Sequence, residues 1–384
     1  MGDKYLYRKV YQALGKQIAD GTLPLGAKLP SEAELSAVYQ VSSITVKRAL
    51  SMLQEDGLVK RIQGRGTFVQ GIDAAPAQAP AQSPNAKPIV GLILEHVTSA
   101  FGLDMLYEMT RLLDDAGYQL LVRFSFFSIE KETQQIDELI ALGVSGLLIM
   151  PCHNSYYSMT ILRLILEGFP VVLIDKRMTG LPVSTVCTDG FAATRKLVHH
   201  LKECGCRTVA ALSVNPTSSS SLNDRMRGFR QGAEETGLIC VGECVVPWQT
   251  GHILTTAPEE DYLIAIRKFL QEQSMDGIVC TEYGLARALY TVASQMNITL
   301  GCDLRACCLD EDVLATEGFF FTHMRQDELT IACKAVELML ALIGGEKIPS
   351  RDVRVPAIFH HGKTTQNILF KNPQIYFIVL NGSS

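Results

Sequence analysis

Two helix starts near the N-terminus carry side chains whose types and spacing suit contact with a nucleic acid. Ser31 can cap one helix, and Glu34, three residues on, can complete a capping box. Ser42 can cap a second helix, whose inner face is apolar: Val46, Ala49, Leu50 and Leu53. Its outer face is polar and basic near the N-terminus: Ser43, Thr45, Lys47 and Arg48. Such a helix can bring its first turn to base edges while its positive dipole end faces phosphate.

The elements that must hold this second helix are the first helix and a hairpin. Leu35, Val38 and Val41 are expected to face inward from the first helix and the turn after it. Residues 57–70 predict two short strands around Gly64-Arg65-Gly66, with Arg65 at the tip. An arginine there suits insertion into a narrow minor groove. The alternative is a glycine-rich phosphate loop, which should run from a strand into a helix, whereas this segment runs from strand to strand.

Residues 5–70 resemble the winged-helix head of the GntR family of bacterial regulators. The matching pieces occur in the family's order: Tyr7, Gly26–Glu32, Glu34–Leu35, Val41–Ser42, Thr45–Lys47, Ala49–Leu50, Gly57–Leu58 and Gly64–Val69. The resemblance implies phosphate and base contacts from the two helix starts and the hairpin tip. We predict the following DNA-binding residues: Tyr7, Ser31, Glu32, Ser42, Ser43, Ile44, Thr45, Lys47, Arg48, Gly64, Arg65 and Gly66.

Two positions depart from the pattern of this family. Ala33 stands where many members carry arginine, and Ser43-Ile44 replaces a common Arg-Thr pair. Serine cannot form the bidentate pair that arginine makes with guanine. We therefore expect weak selection for guanine opposite Ser43, with Ile44 contacting a thymine methyl group.

Charge and composition divide the chain into a head and a body. Residues 1–70 hold ten Lys/Arg and six Asp/Glu, while the remainder holds 25 basic and 34 acidic residues, for a net charge of −5. A basic head on an acidic body fits a DNA-binding module attached to a sensor. Residues 71–88 are rich in Ala, Pro and Gln and are expected to form a semi-extended linker. At 384 residues, two or more domains are expected.

Residues 89–365 alternate short apolar runs with amphipathic stretches, a pattern typical of parallel sheets covered by helices. The predicted strands are Ile89–Leu94, Gln119–Phe124, Gly146–Met150, Val171–Ile174, Thr208–Leu212, Gly277–Cys280 and Leu304–Leu309. The predicted helices between them are Leu103–Ala116, Glu130–Leu142, Phe191–Glu203, Leu222–Thr236 and Leu285–Met296. A segment of this length would make an unusually large single sheet, so we predict an α/β body of two doubly wound lobes facing a cleft.

The body resembles the effector domain of the lactose-repressor (LacI) family, which is itself similar to periplasmic sugar-binding proteins. The matching segments are Ile89–Leu94, Ala116–Tyr118, Val144–Ile149, Pro170–Asp175, Val186–Asp189, Asp224–Phe229, Cys307–Asp310 and a C-terminal helix around Ile331–Ile343. The likeness runs from about Ile89 to His361. It implies a small effector, such as a sugar, bound between two lobes. The tail, residues 366–384, has no counterpart in this resemblance.

Sugar sites combine planar polar groups, which grip neighbouring hydroxyls, with a flat apolar surface for the ring. By family position and by closeness to strand ends, we predict these ligand-binding residues: Phe101, His153, Asp175, Asp189, Arg225, Trp248, Glu282 and Asp310. The alternatives are that Arg225 pairs with a carboxylate, Trp248 lies in the core, and Asp189 caps the next helix. Glu282 departs from the family's usual asparagine, and ionised glutamate only accepts hydrogen bonds, which alters the expected ligand.

No metal, cofactor or enzyme activity is expected. The cysteine pairs Cys204/Cys206 and Cys307/Cys308 lack a second pair at zinc-ligand spacing, so we expect the eleven cysteines to be free thiols. Cys152 near His153 and the serine run Ser218–Ser221 are candidate nucleophiles, but neither has a convincing base and orienting partner.

In domain order the chain is similar to arabinose-type repressors. That likeness implies a homodimer that binds near-palindromic operator DNA and responds to a monosaccharide. A regulator that senses a different polar metabolite remains open. Met1–Val10 is polar and has no apolar signal-peptide core, so we expect a cytoplasmic protein.

Overall fold

The structure, a computed structural model, describes residues 6–62, 66–69, 87–152, 158–178, 180–215, 219–246, 260–311, 320–346, 348–349 and 351–365. The chain forms two compact units. The first unit holds the described residues within 1–96, 105–187 and 329–353, and the second holds those within 97–104, 188–328 and 354–365.

The N-terminal head, residues 6–69 of the first unit, is a winged helix-turn-helix. Its elements are α1 (Leu6–Ala19), α2 (Glu32–Tyr39), α3 (Ser43–Glu55), β1 (Val59–Ile62) and β2 (Gly66–Val69). The strands pair antiparallel, with Val59 opposite Val69 and Ile62 opposite Gly66. Both predicted caps are confirmed, because Ser31 and Glu34 form a capping box on α2 and Ser42 caps α3. One apolar core cluster contains these residues of the head: Val10, Leu14, Ile18, Leu29, Leu35, Val46, Ala49, Leu50, Leu53, Leu58, Val59 and Val69.

One core assignment in the head is wrong. Val38 is 69% exposed, whereas Leu35 is 2% exposed. Helix α2 has only two turns, and its C-cap Gln40 adopts a left-handed conformation (φ 51°) that redirects the chain. Tyr39 and Val41, on either side of that cap, pack against the core instead.

The sheet of the first unit has six strands: β3 (Ile89–Leu94), β4 (Gln119–Phe124), β5 (Gly146–Ile149), β6 (Val171–Ile174), β7 (Ser184–Thr188) and β13 (Asp352–Val355). Their order is β13-β7-β6-β5-β3-β4, and β3 to β7 run parallel. The helices that accompany them are α4 (Leu103–Asp115), α5 (Ile129–Ala141), α6 (Met159–Leu166) and α11 (Glu328–Ile343).

The sheet of the second unit also has six strands: β8 (Thr208–Val214), β9 (Ile239–Val246), β10 (Gly277–Cys280), β11 (Arg305–Leu309), β12 (Thr322–Arg325) and β14 (Ile358–His360). Their order is β14-β12-β11-β10-β8-β9, and only β14 pairs antiparallel. Its helices are α7 (Gly190–Glu203), α8 (Ser220–Thr236), α9 (Glu260–Glu272) and α10 (Tyr283–Gln295), and a short 3-10 turn follows at Lys363–Thr365.

The predicted fold class is confirmed, and both units share one topology. Counted along the chain, each sheet begins with five strands in the order 2-1-3-4-5, so each reverses direction between its first and third strands. In open parallel sheets, ligands bind beyond the carboxyl ends of the strands at this switch point. Side chains after β3 and β5 in the first unit, and after β8 and β10 in the second, therefore merit attention.

The cysteines are free thiols, and most are buried. Cys302 and Cys333 are exposed. Across the part of the chain that the structure describes, no helix is long and apolar enough to cross a membrane.

A close contact between α7 and α8 gives a test of the second unit's packing. A Cβ added at Gly228 would overlap the carbonyl oxygen of Phe191. We expect Gly228→Ala to lower the free energy of unfolding by about 1–3 kcal/mol, the usual cost of overpacking a core. Urea unfolding followed by circular dichroism measures this change.

The matched control is Gly284→Ala in α10, where an added Cβ meets no atom within 4 Å. Alanine is the better helix former by about 1 kcal/mol, so this variant should be neutral or more stable. Equal effects of the two substitutions would contradict the packing argument.

Candidate functional sites

The first turn of α3 has an exposed face, and hydrogen bonds at the start of the helix hold that face in place. Ser42 Oγ accepts a hydrogen bond from the Thr45 backbone N–H at 3.2 Å and lies 2.8 Å from Thr45 Oγ1. Thr45 is only 8% exposed, so this pair fixes the start of the helix. Ser43, Lys47 and Arg48 are exposed, and Ile44 is 76% exposed. These last four side chains are the ones available to a base edge.

Tyr7 supports α3, which we call the recognition helix. Its ring is 8% exposed and lies 4.2 Å beneath the guanidinium carbon of Arg48. A cation above an aromatic face is attracted by the ring's quadrupole. The contact holds Arg48 on the outer face of α3, which leaves Tyr7 itself little surface for DNA.

Glu32 connects the recognition helix to the hairpin. Its carboxylate forms an ion pair with Arg61 of β1 and lies 3.9 Å from Lys47 Nζ. Ser31 caps α2 directly before it. Sequence reasoning missed Arg61, although the exposed Lys60-Arg61 pair on a hairpin strand was a usable signal.

The hairpin tip is described only in part. Gly66 has φ 115°, and a Cβ there would come within 2.8 Å of Lys28 Cε. Glycine therefore allows the Lys28 side chain to lie across this strand. Gly64 and Arg65 lie outside the described residues.

In the second unit, Arg225 lies at the sheet's switch point. It projects from α8 and is 6% exposed, and its Nη1 donates to the Thr281 carbonyl at 2.7 Å, directly after β10. Gly190 makes room for it, since a Cβ there would lie 3.1 Å from Arg225 Cγ. Among the described residues, Arg225 Nε has no hydrogen-bond acceptor. A buried donor without an acceptor is costly, and an acceptor oxygen from outside the protein would remove that cost.

Asp310, after β11, forms the second buried polar centre of this unit. Its backbone is left-handed (φ 62°), and its two carboxylate oxygens accept from the Gln326 backbone N–H at 3.2 Å and from Gln326 Nε2 at 2.9 Å. Gln326 Oε1 in turn accepts from Thr188 Oγ1 at 2.6 Å. Burial raises the pKa of Asp310, while the Arg225 cation acts in the opposite direction.

The other predicted ligand residues have varied positions. Asp189 caps α7, because its Oδ1 accepts from the Ala192 N–H at 2.9 Å, which matches the alternative left open by the sequence. Glu282 occupies the N-cap position of α10 without a side-chain cap bond. The half-buried Phe101 lies in a loop held by the Gly102 N–H, which donates to Glu328 Oε2 at 3.0 Å. His153 and Trp248 lie outside the described residues.

In the first unit, charged side chains are buried at the carboxyl ends of β3 and β6. Asp175 adopts a left-handed conformation (φ 64°) directly after β6. The next residue, Lys176, forms an ion pair with Glu95, which follows β3 and is fully buried. Burial raises the pKa of Glu95, while the Lys176 cation acts to lower it and favours the ionised pair.

Two further groups extend this strand-end cluster. Glu132 of α5 is 1% exposed, and its Oε2 accepts from the Cys152 N–H at 2.7 Å, just beyond β5. His96 stacks on Phe127 with ring centroids 4.9 Å apart. Burial, assisted by Lys176, lowers the pKa of His96 to about 4.

The units place two aspartates at equivalent points. Asp175 follows the fourth strand of one sheet and Asp310 follows the fourth strand of the other, and both are left-handed. Aspartate tolerates this conformation better than most residues. Sequence reasoning singled out both aspartates but missed Glu95, Glu132, Lys176 and Gln326. A search of every strand end would have found three of these, since only Glu132 comes from a helix.

Two family models match the chain. Residues 6–69 match the bacterial regulatory proteins of the gntR family, and residues 198–365 match a periplasmic binding protein-like domain. The first match covers the helix-turn-helix head and the second covers most of the second unit.

Curated relatives match over nearly the whole chain. The chain is 26% identical over 355 residues to the arabinose metabolism transcriptional repressor of Geobacillus stearothermophilus, covering 88% of this chain and 91% of the relative. A repressor of the same name from Halalkalibacterium halodurans is 23% identical over 347 residues, covering 89% and 90%.

Solved structures share the fold of the body. The transcription regulator CcpA of Lactococcus lactis aligns with a TM-score of 0.63 at 16% identity, covering 73% of this chain and all of that one. The Cra regulator of Pseudomonas putida, in complex with fructose 1-phosphate, aligns with a TM-score of 0.59 at 21% identity, covering 71% and 98%.

The half-buried His96, whose Nδ1 atom is inaccessible to solvent, should make folding sensitive to acid. Its pKa is about 4 in the folded chain, below the ordinary value of 6.5, so the unfolded chain binds more protons between these values. Stability present above about pH 6.5 is therefore lost as the pH falls towards 4. We expect His96→Gln, which cannot titrate, to reduce that acid-induced loss by on the order of 2 kcal/mol.

Urea unfolding at about pH 7 and about pH 4.5 measures this difference. His199→Gln, at an exposed histidine of α7, is the matched control. A change in acid sensitivity of the same size in both variants would contradict the role given to burial of His96.

Proposed function

Because this chain joins a GntR-family DNA-binding head to a periplasmic binding protein-like body, we propose that it is a transcriptional repressor whose operator affinity changes when a sugar binds. The observation that carries the proposal is the exposed first turn of α3, which is held by Ser42, Tyr7 and Glu32 in a shape suited to DNA. The relatives named as arabinose repressors support it.

The proposed domains follow the composition of the chain. Residues 1–70 bind DNA, residues 71–88 link, and residues 89–365 bind the effector and dimerise, while the tail at 366–384 has no assigned role. Both family matches fall inside these limits. We propose that the protein is a cytoplasmic homodimer. The two-fold symmetry of such a dimer would be mirrored in a near-palindromic operator.

The proposed effector site in the second unit uses planar groups. Arg225 offers an unpartnered N–H, and Asp310, fixed by Gln326, offers carboxylate oxygens. Neighbouring sugar hydroxyls each donate and accept hydrogen bonds, so they can satisfy both kinds of group. The first unit separately carries polar strand ends at Asp175, Lys176 and Glu95.

Base reading by α3 can be tested with duplexes selected from a random library. Wild type should show weak preference for guanine opposite Ser43, because serine cannot pair with guanine through two hydrogen bonds. Ser43→Arg should create a guanine preference worth about 1–3 kcal/mol at that base pair. Arg61→Ala, at the hairpin strand, should weaken all duplexes alike. An unchanged base preference in Ser43→Arg would refute the placement of this side chain in the groove.

Effector binding can be tested by thermal shift of the full chain with pentoses, hexoses, sugar phosphates and nucleosides. A sugar at a hundredfold excess over its Kd stabilises the folded state by about 2.7 kcal/mol. We expect one sugar to raise the melting temperature of wild type and Arg225→Ala to lose that shift.

The matched control is Arg227→Ala, two residues along α8, whose guanidinium is exposed and pairs with Asp224. It should keep the shift. A shift that survives Arg225→Ala would refute the proposed site, and a shift with nucleosides alone would refute the sugar.

A further inference from the structure

Helix α6 is apolar on two faces, although it is only eight residues long. Ile161 and Leu164 belong to the core beneath the first unit's sheet. Met159 and Leu162 belong instead to the hydrophobic cluster of the head, and they are 6% and 0% exposed. A surface helix normally has a polar face opposite the core. The second apolar face of α6 therefore indicates that this helix packs against another element besides the sheet.

That partner is α1 of the head. Val10, Leu14 and Ile18 of α1 lie in the same cluster as Met159 and Leu162. Gly15 is buried at this contact, and a Cβ there would come within 2.9 Å of both Sδ and Cε of Met159. Glycine is a poor residue inside a helix, and here its missing side chain makes room for the methionine.

The contact leaves the DNA-reading surface open. Ile44 of α3 is 76% exposed, and the Lys47 side chain is 60% exposed. Docking through α1 therefore fixes the direction in which the head faces, without covering the residues proposed to read DNA.

The start of α6 is tied to the strand-end cluster of the first unit. The Glu132 carboxylate accepts from the Cys152 N–H at 2.7 Å and also from the Ser158 side chain. Ser158 Oγ in turn accepts from the Ile161 N–H at 3.3 Å and caps α6. One buried carboxylate thus holds residues on both sides of the segment that leads into α6.

We propose that the Met159/Leu162 face of α6 is the docking site for α1 of the same chain, and that Glu132 links this site to the first unit's strand ends. Docking makes the orientation of the head depend on the charges and hydrogen bonds at the strand ends of the first unit. Its regulatory meaning rests on the proposed function, but the contact itself does not.

Docking can be tested by disulfide formation in the full chain carrying Gly15→Cys with Met159→Cys. Mild oxidation of dilute protein should join the two introduced thiols within one chain, since disulfides require closely spaced Cα atoms. Peptide mass spectrometry separates this bond from any made by the native cysteines, none of which lies in α1 or α6.

The control pair is Gly15→Cys with Thr160→Cys, at the neighbouring half-buried residue of α6. Equal yields for the two pairs would overturn the docking site. A bond formed only between two chains, rising with protein concentration, would overturn its assignment to the same chain. DNA selection by wild type is independent of both outcomes.

The link through Glu132 has its own test. In the Gly15→Cys, Met159→Cys chain, Glu132→Gln should slow disulfide formation about tenfold, because an amide oxygen accepts hydrogen bonds more weakly than a carboxylate oxygen. Glu130→Gln, at an exposed carboxylate of the same helix, should leave the rate unchanged. Ser158→Ala should slow it as Glu132→Gln does. An unchanged rate in both Glu132→Gln and Ser158→Ala would refute the link and leave the docking site standing.

Discussion

Charged side chains are buried beyond the carboxyl ends of the strands in both sheets, and neighbouring residues at these strand ends pair with them or form hydrogen bonds to them. A charge removed from water is costly unless it is paired and hydrogen-bonded. Lys176 is paired with Glu95, Arg225 donates to the Thr281 carbonyl, and Asp310 is gripped twice by Gln326. Each partner is the last residue of a strand or lies within two residues of it. The 2-1-3-4-5 strand order therefore determines both where the charges are and what satisfies them.

Not every polar atom at the strand ends has a hydrogen-bond partner among the described residues. Arg225 Nε and Glu95 Oε1 are buried without partners among the described residues. Such atoms are rare in folded proteins because each costs the desolvation of a polar group. A ligand rich in hydroxyls removes that cost, since each hydroxyl both donates and accepts. These two atoms therefore agree with the sugar effector that we propose.

The sequence predicted the repeated core better than the connections between its parts. Strands such as Ile89–Leu94 and Val171–Ile174 were identified with their observed bounds, because continuous apolar runs have few other interpretations. The edge strand Ile239–Val246 was missed: its residues are mostly half-buried or exposed, so its pattern is weak. Val38 was wrongly assigned to the core because a two-turn helix gives periodicity too few positions to define a face.

The residues of the candidate site also differ in how far the sequence could predict them. Arg225 and Asp310 could be found because family position and strand ends pointed to the same residues. Glu132 could not, since it comes from the first turn of α5 and reaches the strand ends only through folding. The second apolar face of α6 was equally hidden: in the run Met159–Leu166, nothing distinguishes a residue that faces the sheet from one that faces the head.

Coupling between an effector and DNA needs an element that both can influence. The Ala/Pro/Gln composition of residues 71–88 predicts a segment that buries little apolar surface and lacks the means to hold the head at one angle. A packed contact does have that means, because close-packed apolar surfaces resist sliding. Helix α6 makes such a contact with the head through Met159. At the start of the same helix, Ser158 is hydrogen-bonded to the Glu132 carboxylate. An effector can bias the head only through its different affinity for the states in which this contact is made or broken.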